Sequence, residues 1–300
     1  MNIIKMSRIL IVFNLFLCLI NSLNATCGHW GDTIQIGTIN PKIIRESSGI
    51  EWTKSYPNTL FHINDSGDGT NVYLSDLVGN ISKKIKIKNF FSWDSEDISI
   101  GPCPQSTDEC FFYGDIGDGR IFGAQIKIGY LPLKKLLANN PVFENKLKVH
   151  LPGGNNDLEG MAVHPNGDLY LTSKDPGLTK FFKIEKINLN KKSTNAKIIA
   201  TLNHKILGDN LEKSLTTGLD ISDNGKSILL LTYENIIQID YDLSKINTGE
   251  VIDLTPYTQI INAPILPQQE AITYIGNYAL LYTTEADRAL NPILRIDCKE

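Results

Sequence analysis

Short runs of alternating or uninterrupted apolar residues recur along the chain: TLFHI, VYLSDL, KKIKIK, CFFYG, GAQIKIGYL, KLKVHL, MAVHP, LYLTS, FFKIEKI, AKIIATL, ILLLTY, IIQIDYD, ALLYTTE and PILRID. Asn, Gly, Pro and Asp separate them. Runs this short, rich in β-branched and aromatic residues and bounded by turn formers, predict strands. Only Pro132–Asn140 and Asn210–Ser214 suggest helical turns. The fold class is therefore all-β, and evenly punctuated short strands point to a sandwich, a barrel or a propeller.

A period decides among these. The phrases SGI (Ser48–Ile50), EDI (Glu96–Ile98), EGM (Glu159–Met161), TGL (Thr217–Leu219) and EAI (Glu270–Ile272) each open a strand, at intervals of 48 to 63 residues. In the third unit, GMAVHP, LYLTSK, FFKIEKI and AKIIATL follow as four strands; the fourth unit repeats this with GLDIS, SILLLTY, IIQIDYD and EVIDL. The last unit has only three strands, and Thr33–Ile39 (TIQIGTI) at the other end can supply the fourth. A single β-propeller of five four-stranded blades, its ring closed by the N-terminal strand, accounts for this pattern. Six blades would require another unit within Arg120–Asn156 or Asn188–Ser214.

The first 25 residues stand apart. Lys5 and Arg8 precede an apolar stretch, Ile9–Ile20, and a short tail ending at Ala25, which reads as a signal peptide (1–25) ahead of the propeller domain (26–300). An uncleaved anchor is the alternative, although the apolar stretch is short for a bilayer. Lipoprotein processing lacks its small residues before Cys18 or Cys27. Secretion, to the periplasm or the exterior, makes disulfides the natural state of Cys27, Cys103, Cys110 and Cys298. Cys103 and Cys110 suit a local clip in PCPQSTDEC, and Cys27 with Cys298 would lock the ring closure. No CxxC spacing supports metal binding by cysteine.

The 33 acids exceed the 29 Lys and Arg, giving net charge −4, with no basic track for phosphates, so nucleic acid is not an expected partner. No second apolar segment predicts stable membrane insertion after signal cleavage, and a monomer is expected.

The ordered phrases SSGIEW, LFHINDSGDG, WDSEDISIGP, FFYGDIGDGR, LEGMAVHPNGDLYLTSK, TTGLDISDNG and QEAITY, from about Ser47 to Glu285, resemble a family of secreted bacterial β-propeller proteins. That family carries SGL, HNDSGD, WEDIAVGP, YVGDIGDN, EALLV and TGADISPDG in the same order. The chain departs from it at Gly119, where the family has Asn, and at Ser95. The resemblance implies the propeller fold and secretion, and no particular activity.

Propeller geometry puts the starts of the innermost strands and the ends of their antiparallel neighbours on one face. The starts supply Ser48, Glu96, Glu159, Thr217 and Glu270; the ends supply Asp65, Asp115, Lys174, Glu234 and Glu285. Carboxylates so crowded repel unless a positive charge joins them. Oxygen-only ligands suit Ca2+ before Mg2+, which makes Glu96, Glu159, Glu270, Asp65 and Asp115 metal candidates. Ser48, Asp97, Lys174, Thr217, Glu234 and Glu285 are ligand-binding candidates. Asp97 could instead cap a neighbouring blade, and pairing with Lys174, Arg120 or Arg288 would neutralise some carboxylates. Asp68-Gly69 and Asp118-Gly119 read as hairpin turns. An EF-hand is excluded because Ser75 occupies its twelfth position, counted from Asn64.

GxSxG, HExxH, CxxC and phosphate-binding glycine loops are absent, and the five histidines are scattered. His62, near Asp65, reads as structural. No organic cofactor is expected. The sequence thus supports a non-catalytic module binding an extracellular ligand or protein. The alternative is a carboxylate- or Ca2+-dependent hydrolase acting on glycosides, esters or phosphoesters.

Overall fold

The computed structural model describes residues 26–117, 125–154, 157–208, 214–247, 249–285 and 291–299. The first 25 residues, read above as a signal peptide, Asp118-Gly119, Arg120, Arg288 and all but Ser214 of the second expected helical turn lie outside the described residues. After β1 (Trp30–Ile39), blade 1 contains β2 (Ser47–Trp52), β3 (Leu60–Asn64), β4 (Asn71–Ser75) and β5 (Ile81–Lys86). Blade 2 contains β6 (Ser95–Pro102), β7 (Glu109–Asp115), β8 (Ile126–Pro132) and β9 (Asn145–His150), with one helical turn, α1 (Leu133–Leu136), between the last two. In blade 3, β10 (Leu158–Val163), β11 (Leu169–Ser173) and β12 (Leu178–Ile184) precede the short β13 (Ser193–Asn195) and then β14 (Lys197–Asn203). Blade 4 has β15 (Thr216–Ile221), β16 (Ile228–Thr232) and β17 (Ile236–Ile239), followed by β18 (Ile252–Asp253) and β19 (Thr258–Ile261). Blade 5 has β20 (Gln269–Ile275), β21 (Ala279–Thr284) and β22 (Asn291–Cys298).

The four main strands of each blade pair antiparallel, and the innermost strands touch in the order β2, β6, β10, β15, β20 and back to β2. The chain is a five-bladed β-propeller. β1 pairs antiparallel with β22 and completes blade 5, as the three-strand last unit required. The Cys27–Cys298 disulfide joins the two strands of this closure, and Cys103–Cys110 clips the β6–β7 connection.

One strand expectation is corrected. EVIDL does not supply the fourth strand of blade 4: Ile252–Asp253 pairs in parallel with β14 of blade 3, and Thr258–Ile261 takes the predicted place. β13 likewise pairs in parallel with β9 of blade 2. Both short strands cover the outermost edge of a preceding blade, where backbone groups would otherwise stay unpaired.

The described core is divided into five apolar clusters, each between neighbouring blades. Phe61 and Ile63 of blade 1 meet Ile98 and Phe111 of blade 2, for example, and Leu229 and Leu231 of blade 4 meet Tyr274 and Tyr282 of blade 5. A blade sandwiched this way buries both faces of its inner strands. That is why β3, β11 and β16 are buried at every position, while the outermost β5 retains exposed lysines. No described helix is long and apolar enough to cross a membrane.

Candidate functional site

All five innermost strands carry the same irregularity. The pairing register skips one residue between Ser47 and Gly49, Ser95 and Asp97, Leu158 and Gly160, Thr216 and Gly218, and Gln269 and Ala271. The skipped residues are Ser48, Glu96, Glu159, Thr217 and Glu270, the five expected at the channel mouth. A β-bulge leaves its extra residue outside the ladder and re-aims its side chain. The residue after the bulge is glycine in three blades, and the packing explains it. A Cβ on Gly160 would lie 2.5 Å from Leu219 Cβ, and one on Gly218 would lie 2.9 Å from the Glu270 carbonyl oxygen.

These five side chains do different things. Ser48 Oγ donates to the Glu96 carbonyl at 2.5 Å, and Thr217 Oγ1 to the Gln269 carbonyl at 2.8 Å, so both hydroxyls tie one innermost strand to the next. Lys174 Nζ lies 2.8 Å from Glu159 Oε1, and its ammonium faces the Tyr233 ring. Tyr233 in turn donates to Glu270 at 3.0 Å. Glu96, Glu159 and Glu270 are 5%, 4% and 4% exposed. Burial pushes the Glu159 and Glu270 carboxyls up to about 8, with Lys174 opposing the rise in both. Glu96 is held well above its ordinary value by burial, then by Glu159, Asp65, Asp94 and Glu270. Glu285 rises to about 8 and Asp65 to about 6, both through burial first. Lys174 is held above its ordinary value by Glu159 and Glu270 against its burial.

The carboxylates of Asp65, Asp94 and Glu96 come together, with oxygens within 4.8 Å of one another. Gly117 backs this cluster; a Cβ there would collide with Asp94 Oδ2 and Glu96 Oε1. Asp94 was missed by the sequence reading. It precedes β6 in a connecting turn and has no counterpart in the repeat, although the alternate carboxylates in WDSED were a usable signal.

Asp115 does not join the cluster. Its Oδ1 accepts from the Trp93 and Asp94 amides, both at 2.8 Å, and its Oδ2 is paired with Lys127. Asp97 has its carboxylate turned to the backbone: Oδ1 accepts from Ile98 N and Oδ2 from Met161 N of the next blade, both at 2.8 Å. This is the capping alternative. Glu234 is half-buried in the turn after β16. Asp68 accepts from Asn64, Asn71 and Tyr73. His62 is buried against Ser75 Oγ at 2.8 Å.

The other end of the channel is acidic too. A cavity of about 420 Å3 there is bordered by Glu51, Trp52, Lys54, Asp220 and Asp223. Its deepest carboxylates are occupied by backbone. Asp220 accepts from Tyr274 N at 2.6 Å and Ile221 N at 2.7 Å, and Glu51 from the amides of Trp52 and Ile100. Glu51, Asp97 and Asp220 thus perform one task, accepting from amides of innermost strands that face the channel without a ladder partner on that side.

No family model and no curated protein matches the chain. Among solved structures, it is similar to the PQQ-bound aldose sugar dehydrogenase of Streptomyces coelicolor, at 9% identity and TM-score 0.47, covering 91% of this chain and 99% of that one. It is also similar to the β-propeller domain of Cps50 (Swd1) from Myceliophteria thermophila, at 14% identity and TM-score 0.41, covering 84% and 64%. A chain of a nidogen/laminin complex aligns at 15% identity and TM-score 0.46, covering 79% and 72%. Likenesses this distant carry no functional argument.

Proposed function

We propose that the chain is a secreted propeller, of the bacterial kind its phrases resemble, that holds a hard divalent cation on Asp65, Asp94 and Glu96. The cation-bearing face binds an extracellular ligand without catalysing a reaction. The observation that carries this reading is the convergence of Asp65 with Asp94 and Glu96, three carboxylates from two segments, within 4.8 Å, where burial first and neighbouring carboxylates second raise Glu96 and Asp65. Like charges so placed cost stability unless they are protonated or share a cation. An all-oxygen set suits Ca2+. The two disulfides fit an oxidising compartment.

Calorimetric titration of Ca2+ into EDTA-treated protein tests the reading. One binding event is expected, abolished in Glu96→Gln, with added stability of about 2.7 kcal/mol at a hundredfold excess over Kd. Absence of heat and of any thermal shift with either Ca2+ or Mg2+ would overturn it.

A hydrolase is the second reading, favoured by the retention of protons on Glu159 and Glu270 up to about 8, as a general acid requires. Their near-complete burial opposes it, because a sugar ring must reach between a glycosidase's carboxyls. Turnover of chromogenic glycosides or phosphoesters, lost in Glu159→Gln, would favour it over the binding module.

A further inference from the structure

We propose that a second cavity, in blade 1, binds the phosphate monoester of a sugar or small polyol, with Lys42 and Arg45 holding the phosphate. The cavity has a volume of about 480 Å3 and lies between two segments. The β1–β2 connection supplies Lys42, Arg45 and Glu46, and the turn after β3 supplies Ser66, Gly67 and Asp68; Lys84 of β5 also lines it. It shares no residue with the cluster of Asp65, Asp94 and Glu96. Three cations are thus gathered in one hollow of a chain whose net charge is −4.

The acids of the cavity do not cancel them. Asp68 is already committed: it accepts from Asn64 Nδ2 at 3.2 Å, Asn71 Nδ2 at 3.1 Å and Tyr73 OH at 2.8 Å, and pairs with Lys84 at 3.5 Å. Lys84 Nζ also lies 4.9 Å from the centroid of the Tyr73 ring. Glu46 borders the channel mouth, where its charge contributes to the raised Asp65 and Glu285. Lys42 and Arg45, in contrast, have exposed side chains with no ion pair or hydrogen bond among the described residues.

The frame that carries these two cations is braced. Asn64, 6% exposed, accepts from Glu46 N at 3.2 Å and donates to Ile43 O at 3.3 Å as well as to Asp68, so one side chain ties both walls together. Asp65 N donates to Glu46 O at 2.9 Å, and Asn40 Oδ1 accepts from Lys42 N at 3.0 Å. Ile44, between the two cations, is fully buried. Main chain fixed in this way limits the ordering cost of binding to the two long side chains.

The wall chemistry selects the occupant. A phosphate monoester carries about −1.5 to −2 at neutral pH, which matches the two unpaired cations, and a guanidinium meets phosphate through parallel hydrogen bonds. A carboxylate brings only one charge. The Ser66 hydroxyl, the Gly67 main chain and the Glu46 carboxylate suit a hydroxylated body better than an acyl chain. The volume falls within the range of about 300–1,000 Å3 typical of small-molecule sites and exceeds what a bare phosphate fills.

Calorimetry in EDTA at low ionic strength tests this, comparing glucose 6-phosphate and glycerol 3-phosphate with glucose, glucuronate, inorganic phosphate and phosphatidic acid vesicles. At least one of the two esters should bind more tightly than any of the other four. Binding should weaken at least ~tenfold, about 1.4 kcal/mol, in Lys42→Ala and in Arg45→Ala. It should strengthen in Glu46→Gln, which removes a like charge from beside the phosphate. Unfolding midpoints should be unchanged in all three variants, because the substituted side chains are exposed. The proposal is overturned if neither ester binds, if affinity is indifferent to both alanine substitutions, or if Glu46→Gln weakens binding. Glucuronate binding as tightly as the esters overturns the phosphate, inorganic phosphate doing so overturns the hydroxylated body, and the vesicles doing so overturns the soluble ligand. With divalent ions removed throughout, none of these outcomes depends on whether Asp65, Asp94 and Glu96 hold a cation.

Discussion

Glu159 can be a nearly buried acid because Lys174 reaches it from the end of the next strand. Removing that partner by Lys174→Met leaves the carboxyl without its cation, and a loss of about 3–5 kcal/mol is expected at pH 8, measured by denaturant unfolding. The loss should shrink at pH 5, where a carboxyl held up to about 8 is protonated in the fold. Adding Glu159→Gln should restore most of the stability. Asp220 makes a separate, pH-dependent contribution. Burial raises it to about 7, against about 3.9 for a free aspartate, despite its amide donors. The folded state therefore binds this proton more tightly than the unfolded one. The associated stability is full below about pH 4 and is lost as pH rises through 7. Asp220→Asn should flatten the decline of unfolding free energy over that window; an unchanged slope in the variant would count against this assignment. Among single residues, Glu96 and Asp65 were legible from strand position. Asp94 was not, because it belongs to a turn that brings a third carboxylate across to them.

At the scale of elements, the bulge at the start of each innermost strand links the repeat to the site. The phrases SGI, EDI, EGM, TGL and EAI marked where those strands begin, but hydrophobic alternation cannot reveal an extra residue in the register. Close approach between neighbouring strands explains the small residue that follows. Gly160→Ala should cost about 1–3 kcal/mol by forcing a contact with Leu219 Cβ, read as a lowered unfolding midpoint. A neutral outcome would mean that β10 and β15 can separate at little cost. The reassignment of Ile252–Asp253 to blade 3 has a similar origin. Two paired residues leave almost no pattern, and their partner is chosen by an open edge on another blade.

For the whole molecule, closure is the decisive event. β1 must find β22 across nearly the entire chain, and Cys27–Cys298 makes that pairing covalent over a separation of 271 residues, against 7 for Cys103–Cys110. Loop-closure entropy grows with length, so Cys27→Ser with Cys298→Ser should destabilise by about 4–5 kcal/mol and the Cys103/Cys110 pair by about 2–3. Chemical denaturation of the two double variants compares them; equal losses would mean that the ring holds without its long clasp. The amino-acid sequence alone determined the all-β class, the number of blades, the closure by the N-terminal strand, both cysteine pairings and the five residues at the strand starts. Each is written locally, in runs, turns and a recurring phrase. Tertiary structure alone decided which carboxylates meet and which are consumed by Lys174, Lys127 or backbone amides. Those outcomes depend on distances between segments far apart in the chain, and on how burial changes the cost of a charge.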